Sequence, residues 1–362
     1  MSHIVVDARE LRTSTGRYVE RLLHYLQEID QTNNYSVLLN PKDVEGWQPT
    51  NERFKKVPCP HKEFTFDEQL GLKHQIKALK PDIVHFTMIQ QPIWYRGKTV
   101  TTMQDLTTVR FTNPDKNPLV YKFKQQVYTY VINQVVKKSS KIIAISEFVK
   151  KDITDFTGVN PDKIVVTLES ADQLADSSTP LPDLQNKKFI MYVGRPTPHK
   201  NLERLIEAFS LLRAQHPDVL LVLAGRKDNN YRRIEDGVKA KGLKNVVFTD
   251  FVSDGELRWL YENCEAYVFP SLSEGFGLPG LEAMLHGAPV VSSNATCLPE
   301  VHGDAAHYFD PTDTQSMADA INEVLTDKNL RDKLIVKGRE QVKKFSWQRM
   351  AKQTLAVYKE VL

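Results

Sequence analysis

The chain has little cysteine, no long apolar run and almost no net charge, and each shortage excludes something. Its three cysteines, Cys59, Cys264 and Cys297, are odd in number, and none stands in a C-x-x-C pair. A disulfide framework or a zinc knuckle is therefore not expected, and the reading is a reducing, cytoplasmic compartment. No apolar stretch approaches the ~18 residues of a membrane-spanning helix. The start, Met1-Ser2-His3-Ile4-Val5-Val6-Asp7, has neither the basic region nor the apolar run of a secretory leader. A net charge of +3 is too small to imply nucleic acid. The signatures G-x-x-x-x-G-K-[ST], H-E-x-x-H, G-x-S-x-G and D-x-D are missing, the turn 12–18 after the first expected strand lacks the G-x-G-x-x-G of a dinucleotide fingerprint, and the histidines have no metal-ligand spacing.

What is present is a βα rhythm. The length, 362 residues, suggests about two domains. Short apolar runs alternate with helix-period segments, as in α/β folds with parallel sheets. Strands are expected at 4–7, 36–39, 82–86, 99–103, 142–146 and 164–168. Between the first two, Val19, Leu22, Leu23, Leu26 and Ile29 recur at spacings of three and four, which predicts an amphipathic helix. The polar, proline-containing stretch 173–188 reads as a linker between a domain at 1–172 and one at 189–345. In the second domain, strands are expected at 189–193, 219–223, 246–248, 266–269 and 289–292. Helices alternate with them, two more follow, and a last amphipathic segment covers 346–362. Two such domains facing a cleft would make a binding site between them.

Four loops at strand ends could carry chemistry. The richest runs from Pro270 through Glu274, Gly275, Phe276, Gly277 and Leu278 to Glu282. Its glycines let backbone N–H groups approach a ligand, and a following helix adds partial positive charge. Two carboxylates eight residues apart suit paired sugar hydroxyls, which they accept as hydrogen bonds. In the loop 193–201, Arg195 and Lys200 bracket prolines ahead of a helix, an arrangement that can hold a diphosphate leaving group without a metal. Thr15 and Gly16, at the start of the first helix, could offer backbone N–H groups to a phosphate. Gln104 and Asp105 follow a strand and could touch a sugar near its reacting carbon, or Asp105 could simply cap the next turn. Eight lysines between Lys116 and Lys151 are opposed only by Glu147. Such a stripe fits an anionic membrane surface or a solvated helix face.

The chain resembles the retaining GT-B-fold glycosyltransferases of family 4, a group that includes bacterial mannosyl- and glucosyltransferases. The resemblance runs nearly end to end. It is carried by the E-x7-E motif Glu274–Glu282 within SEGFGLPGLEAM, and by the HGAPVV, LPEV, GRPTPHKN, DAR…STGRYVERLL and IIAISEFVKKDI segments. It implies two Rossmann-like domains with a C-terminal helix crossing back to the first. It further implies that Glu274 holds donor-sugar hydroxyls, that backbone groups at Phe276, Gly277 and Leu278 bind sugar or phosphate, and that Glu282 binds the ribose. Arg195 and Lys200 would bind the diphosphate, Gly16 would approach it, and the nucleobase would lie near Gly225 and Val252. Family members often carry His-Asp where this chain has Gln104-Asp105. Glutamine can donate and accept hydrogen bonds but cannot become a cation or shuttle a proton.

The implied activity is transfer of a hexose from a nucleotide-diphosphate sugar, GDP-mannose ahead of UDP-hexoses, to a glycan or lipid-linked acceptor. Retention of configuration and independence of metal or other cofactor are expected. An epimerase of the same fold would act on donor alone, and a non-catalytic nucleotide-sugar binder would release no nucleotide with any acceptor.

Overall fold

The computed structural model describes residues 1–13, 16–111, 118–174 and 176–362. They form two compact units. The first takes the described residues up to Arg110, those from 118 to Glu169, and Ser346–Leu362; the second takes Phe111 and those from Ser170 to Phe345.

The first unit is built on seven parallel strands: β1 (His3–Asp7), β2 (Asn34–Leu39), β3 (Phe54–Pro58), β4 (Ile83–Phe86), β5 (Thr99–Met103), β6 (Lys141–Ala144) and β7 (Ile164–Val166). Their order is β3-β2-β1-β4-β5-β6-β7. Ile4, Val5 and Val6 are fully buried, as expected of a parallel strand covered on both faces. The helix Gly16–Ile29 lays Tyr18, Val19, Leu22, Leu23 and Leu26 into the core. Burial of each leucine contributes about 1.5–3 kcal/mol.

The C-terminal helix Trp347–Val361 belongs to this first unit and packs against Gly16–Ile29. A buried polar chain fastens it. The Tyr358 hydroxyl lies 2.5 Å from His85 Nδ1, His85 Nε2 lies 2.8 Å from Thr102 Oγ1, and Thr102 Oγ1 lies 2.8 Å from the Tyr18 hydroxyl. Burial pushes the His85 imidazole down to about 3, so it is held neutral. Lys98 Nζ closes the far end by donating to the carbonyls of Val361 and Leu362 at 2.8 and 2.7 Å.

The second unit has six parallel strands: β8 (Phe189–Val193), β9 (Leu220–Ala224), β10 (Val246–Asp250), β11 (Ala266–Phe269), β12 (Val290–Ser293) and β13 (Ala306–Phe309). Their order is β10-β9-β8-β11-β12-β13. The described part of 173–188, expected as a connection, lies along this unit. Leu184 is buried, Thr179 donates to the Gly255 carbonyl at 3.0 Å, and Arg258 donates to the Asp176 carbonyl at 3.2 Å. Two strands, β3 and β13, form where the sequence reading placed none.

Both sheets reverse direction of growth once, between β1 and β4 in the first and between β8 and β11 in the second. At such a switch point the loops leaving neighbouring strands diverge and open a crevice at the carboxyl ends. Among the described residues no helix is long and apolar enough to cross a membrane.

Candidate functional site

The loops after β8 and β11 leave the switch point of the second sheet, and they hold the cations and carboxylates singled out by sequence. Two hydrogen bonds lock one loop to the other, and a third ties the first of them to the segment after β13. Leu272 N–H donates to the His199 carbonyl at 2.7 Å, and Asn201 Nδ2 donates to the carbonyls of Pro270 and Pro311 at 3.0 and 2.8 Å. Asn201 sits at φ 61°, in the left-handed region that asparagine tolerates, and turns the loop into the helix Leu202–Leu212.

The result is an ion pair between two residues expected to serve one ligand: Lys200 Nζ lies 2.6 Å from Glu274 Oε1. The two side chains are 21% and 12% exposed, so their charges are only partly screened. Arg195 is exposed in the same loop. Glu274 is held through its backbone: its N–H donates to Thr296 Oγ1 at 3.2 Å and its carbonyl accepts from Cys297 Sγ at 3.3 Å. Burial pushes the Cys297 thiol up, so it acts as a structural donor rather than a nucleophile.

Gly277 adopts φ 99° as the cap of the helix Leu278–Leu285, a conformation that favours glycine. The Phe276 side chain is buried, with its ring edge-on to Phe345 at 5.6 Å, so only its backbone can face a ligand. Leu278 and Pro279 begin the helix, which leaves the first-turn N–H groups outside its own ladder. Glu282, one turn on, is 5% exposed and accepts a long hydrogen bond from the Tyr261 hydroxyl at 3.4 Å.

Beneath this loop lies His302, one of the histidines without metal-ligand spacing. It is fully buried, with Nε2 3.4 Å from the Gly277 carbonyl and Nδ1 3.3 Å from Ser292 Oγ. Burial pushes it down to about 4. It fits so closely that a Cβ on Gly280 would stand 2.2 Å from its Nε2. Its one sequence signal was its position immediately before Gly303.

Gly225 and Val252 lie in the loops after β9 and β10. The Gly225 N–H donates to the Asp250 carbonyl at 3.1 Å, and Asp250 Oδ1 accepts from the Lys227 and Phe251 N–H groups at 2.8 Å each.

In the first unit, Gly16 is buried and its N–H already donates to the Thr13 carbonyl at 3.1 Å. Thr15 lies outside the described residues. Asp105 Oδ1 accepts from the Thr107 N–H at 2.8 Å, which is the capping role left open by sequence, while both Gln104 and Asp105 line a cavity of about 310 Å³. Among the described residues no group of three or more His, Cys, Asp or Glu could hold a metal ion.

The lysine stripe is not one surface. Lys138 turns inward, donating to the Pro92 carbonyl at 2.6 Å and lying 5.0 Å from the centroid of the Phe86 ring, and burial pushes it down to about 7. Lys141 pairs with Glu360 at 2.6 Å and Lys151 with Asp155 at 2.5 Å. Lys122, Lys124 and Lys137 remain exposed on the helix Pro118–Lys138, and Lys116 lies outside the described residues.

Comparison with known proteins adds family to geometry. Residues 15–172 match the sequence model of Glycosyltransferase Family 4, and residues 177–341 match that of Glycosyl transferases group 1. The O-antigen chain mannosyltransferase B of Escherichia coli is 32% identical over 275 residues, covering 72% of this chain and 70% of that protein. A sucrose-phosphate synthase from Thermosynechococcus elongatus superposes with a TM-score of 0.80 at 19% identity, covering 99% of each chain. The Anabaena protein HepE, in complex with UDP and glucose, superposes with a TM-score of 0.77 at 17% identity, over 99% of this chain and all of that one.

Proposed function

The chain belongs to the GT-B glycosyltransferases of family 4, and from that premise we propose that it transfers a hexose, mannose first, from a nucleotide-diphosphate sugar to a hydroxyl of a glycan or lipid-linked acceptor, with retention of configuration. The observation that carries this reading is the Lys200–Glu274 pair at 2.6 Å, held between two interlocked loops at a switch point. A cation and a carboxylate fixed together can divide their work when a donor arrives. Lys200 and the exposed Arg195 take the diphosphate, and Glu274 takes sugar hydroxyls. Glu282 serves the ribose, backbone N–H groups at Phe276, Gly277 and Leu278 serve the sugar or phosphate, and the loops at Gly225 and Val252 serve the base. Gly16 and Thr15 belong to the same proposal as phosphate contacts of the first unit.

In the reaction, the bond between the anomeric carbon and the diphosphate oxygen breaks as the acceptor oxygen attacks from the same face. The acceptor's proton passes to a diphosphate oxygen, and a nucleoside diphosphate leaves. Developing negative charge falls on groups already facing it, which is where fixed cations and helix ends lower a barrier. The proposed chemistry needs no metal or other cofactor. Gln104 and Asp105 orient the sugar near its reacting carbon. GDP-mannose leads UDP-hexoses because a mannosyltransferase is among the relatives, 32% identical over 72% of this chain. The proposed site of action is the cytoplasm, including the inner membrane face if the acceptor is lipid-linked.

Thermal-shift screening against GDP-, UDP- and dTDP-sugars tests the donor. A ligand at 100 times its Kd stabilises by about 2.7 kcal/mol. NMR of the anomeric proton in the product then reads the stereochemistry. An inverted product, or no stabilisation by any nucleotide sugar, would overturn the proposal.

A further inference from the structure

The first sheet carries polar side chains where a parallel strand covered on both faces ordinarily carries apolar ones. β4 and β5 are neighbours near the middle of that sheet, and every residue of both is buried. His85 stands among Ile83, Val84 and Phe86, and Thr102 stands one residue from the end of β5. Burying an imidazole or a hydroxyl is unfavourable unless it is hydrogen-bonded, and a fully bonded chain specifies one arrangement of the elements it joins. Here the bonds close into a ring. From Tyr358 they run through His85 and Thr102 to Tyr18 at 2.5, 2.8 and 2.8 Å, and the Tyr18 hydroxyl also bonds Thr354. Thr354 and Tyr358 are four residues apart on the C-terminal helix, so the ring begins and ends on one helix face. Each of these residues is 1% exposed or less.

The ring comes close to the candidate site at two points. Thr102 is two residues before Gln104 and lines the same cavity as Gln104 and Asp105. Tyr18 is two residues after Gly16, in the first turn of the helix Gly16–Ile29. A threonine is stiff about χ1, so holding its hydroxyl from two sides holds the backbone that carries it. Thr102 Oγ1 is held by His85 from the neighbouring strand and by Tyr18 from the helix. Beyond Gln104, Asp105 Oδ1 is fixed in turn by the Thr107 N–H at 2.8 Å. Gln104 therefore sits on a short span clamped at both ends. Burial keeps His85 neutral, so one of its ring nitrogens donates and the other accepts. Both of its bonds are then satisfied by hydroxyls, and no buried counter-charge is needed.

We propose that this ring is a positioning device for the transfer reaction: Tyr358 and Thr354 act through His85, Tyr18 and Thr102 to set Gln104 against the donor sugar. Each residue of the ring acts through the next, and Thr102 is the one that borders the cavity. The helix Trp347–Val361 thus contributes to turnover through two hydroxyls, beyond the apolar area it buries. Phenylalanine at 358 and valine at 354 would fill nearly the same volumes and spare the desolvation of a hydroxyl, but they would leave the groups that those hydroxyls bond without partners and the end of β5 free to shift. The inference rests on the proposed place of Gln104 beside the reacting carbon, whereas the hold of the ring on the end of β5 does not depend on it.

The test uses the full chain and removes single hydroxyls. Tyr358→Phe and Thr354→Val should each lower kcat about tenfold, with the donor KM moving less than about twofold, because a small misplacement near the reacting carbon acts mainly in the transition state. Thr354→Ser keeps the hydroxyl and should restore most of the lost turnover. The decisive measurement is a double-mutant cycle with Gln104→Ala. Once Gln104 is gone there is nothing left to position, so adding Tyr358→Phe should change kcat less than about twofold. A general loss of structure would instead lower kcat equally in both backgrounds. Hydrogen exchange read by mass spectrometry gives a second readout: Tyr358→Phe should speed exchange at 102–106 and leave β9 as in the parent. Parent-level kcat in Tyr358→Phe, or an equal loss in both backgrounds, would overturn the proposal while leaving the transferase reading intact. If the parent turns over no nucleotide sugar, the transferase reading fails, and exchange alone decides: faster exchange confined to the first unit supports the ring, and unchanged exchange at 102–106 overturns it.

Discussion

The two units share one architecture and put opposite charge at the same place in it. At the switch point of the second sheet stand Arg195 and Lys200, with Glu274 paired to the lysine. At the switch point of the first stand Glu10, Glu63 and Asp105 with no cation among the described lining residues. Parallel βα topology supplies a crevice in both cases, and it says nothing about what fills it. The side chains on the loops decide that. Cations suit an anionic group, and carboxylates with amides suit hydroxyls, so one topology offers two different chemistries.

The comparison breaks most severely at its positive end. Lys200→Ala should lower turnover on the order of 10²–10³-fold, because a fixed cation facing the leaving group acts mainly in the transition state. Steady-state kinetics at saturating donor reads this, and a kcat equal to the parent's would remove Lys200 from the leaving-group role. The same loops predict indifference to chelation. Turnover should persist in excess EDTA, whereas complete loss with rescue by Mg²⁺ or Mn²⁺ would show that Arg195 and Lys200 are not sufficient counter-charge.

A smaller effect tests how the second unit holds its loop. Gly280→Ala drives a Cβ to within 2.2 Å of the buried His302 ring, which cannot move without releasing Gly277. Overpacking of this kind costs about 1–3 kcal/mol. Urea unfolding should show that loss, and a variant as stable as the parent would mean the ring is free to shift.

The first unit carries a buried acid whose carboxyl is raised far above its ordinary range. Glu169 is almost fully buried, and burial raises its carboxyl to about 8 against an ordinary 4.5, with Arg17 pulling the other way. The folded state therefore keeps a proton that the unfolded chain has lost. That contribution to stability is complete below pH 4.5 and is lost progressively as pH rises through 8. Glu169→Gln should flatten the decline between pH 5 and 8, measured by urea unfolding at both values. Parallel pH profiles in parent and variant would show that Glu169 is not held protonated.

The loops after β8 and β11 were legible because each is a continuous segment. Gly277, Glu274 and Lys200 stand within motifs of a dozen residues whose composition already states the chemistry. The cavity of the first unit was legible only at Gln104 and Asp105, because its wall is assembled from stretches far apart in the sequence. Glu63 and Phe64 belong to no motif, and nothing local marks Tyr128. Among the strands, β13 was missed because His307 and Tyr308 interrupt an apolar run at a sheet edge. The strand β3 was missed because Lys55 and Lys56 occupy an edge that faces solvent on one side, where apolar alternation is not required. Lys138 shows the converse. It was counted with a basic surface, and only the fold reveals that its charge is spent on the Pro92 carbonyl and the Phe86 ring.

What survives of that basic surface makes the last and smallest prediction. With Lys138, Lys141 and Lys151 engaged elsewhere, the helix Pro118–Lys138 still exposes Lys122, Lys124 and Lys137. It also exposes Phe123, Val127 and Tyr130, at 67%, 46% and 55%, and their spacing of four and three residues puts them on one face. Three lysines near an anionic surface are worth about 1 kcal/mol each, and apolar side chains at the headgroup level add to them. Co-sedimentation with phosphatidylglycerol vesicles should therefore show weak binding at low salt that fades at physiological salt, where the screening length falls to about 8 Å. Lys122→Glu with Lys124→Glu should abolish it, and Phe123→Ser should weaken it without changing its salt dependence. If the parent does not sediment at low salt, the exposed lysines are a solvated face and the membrane reading falls.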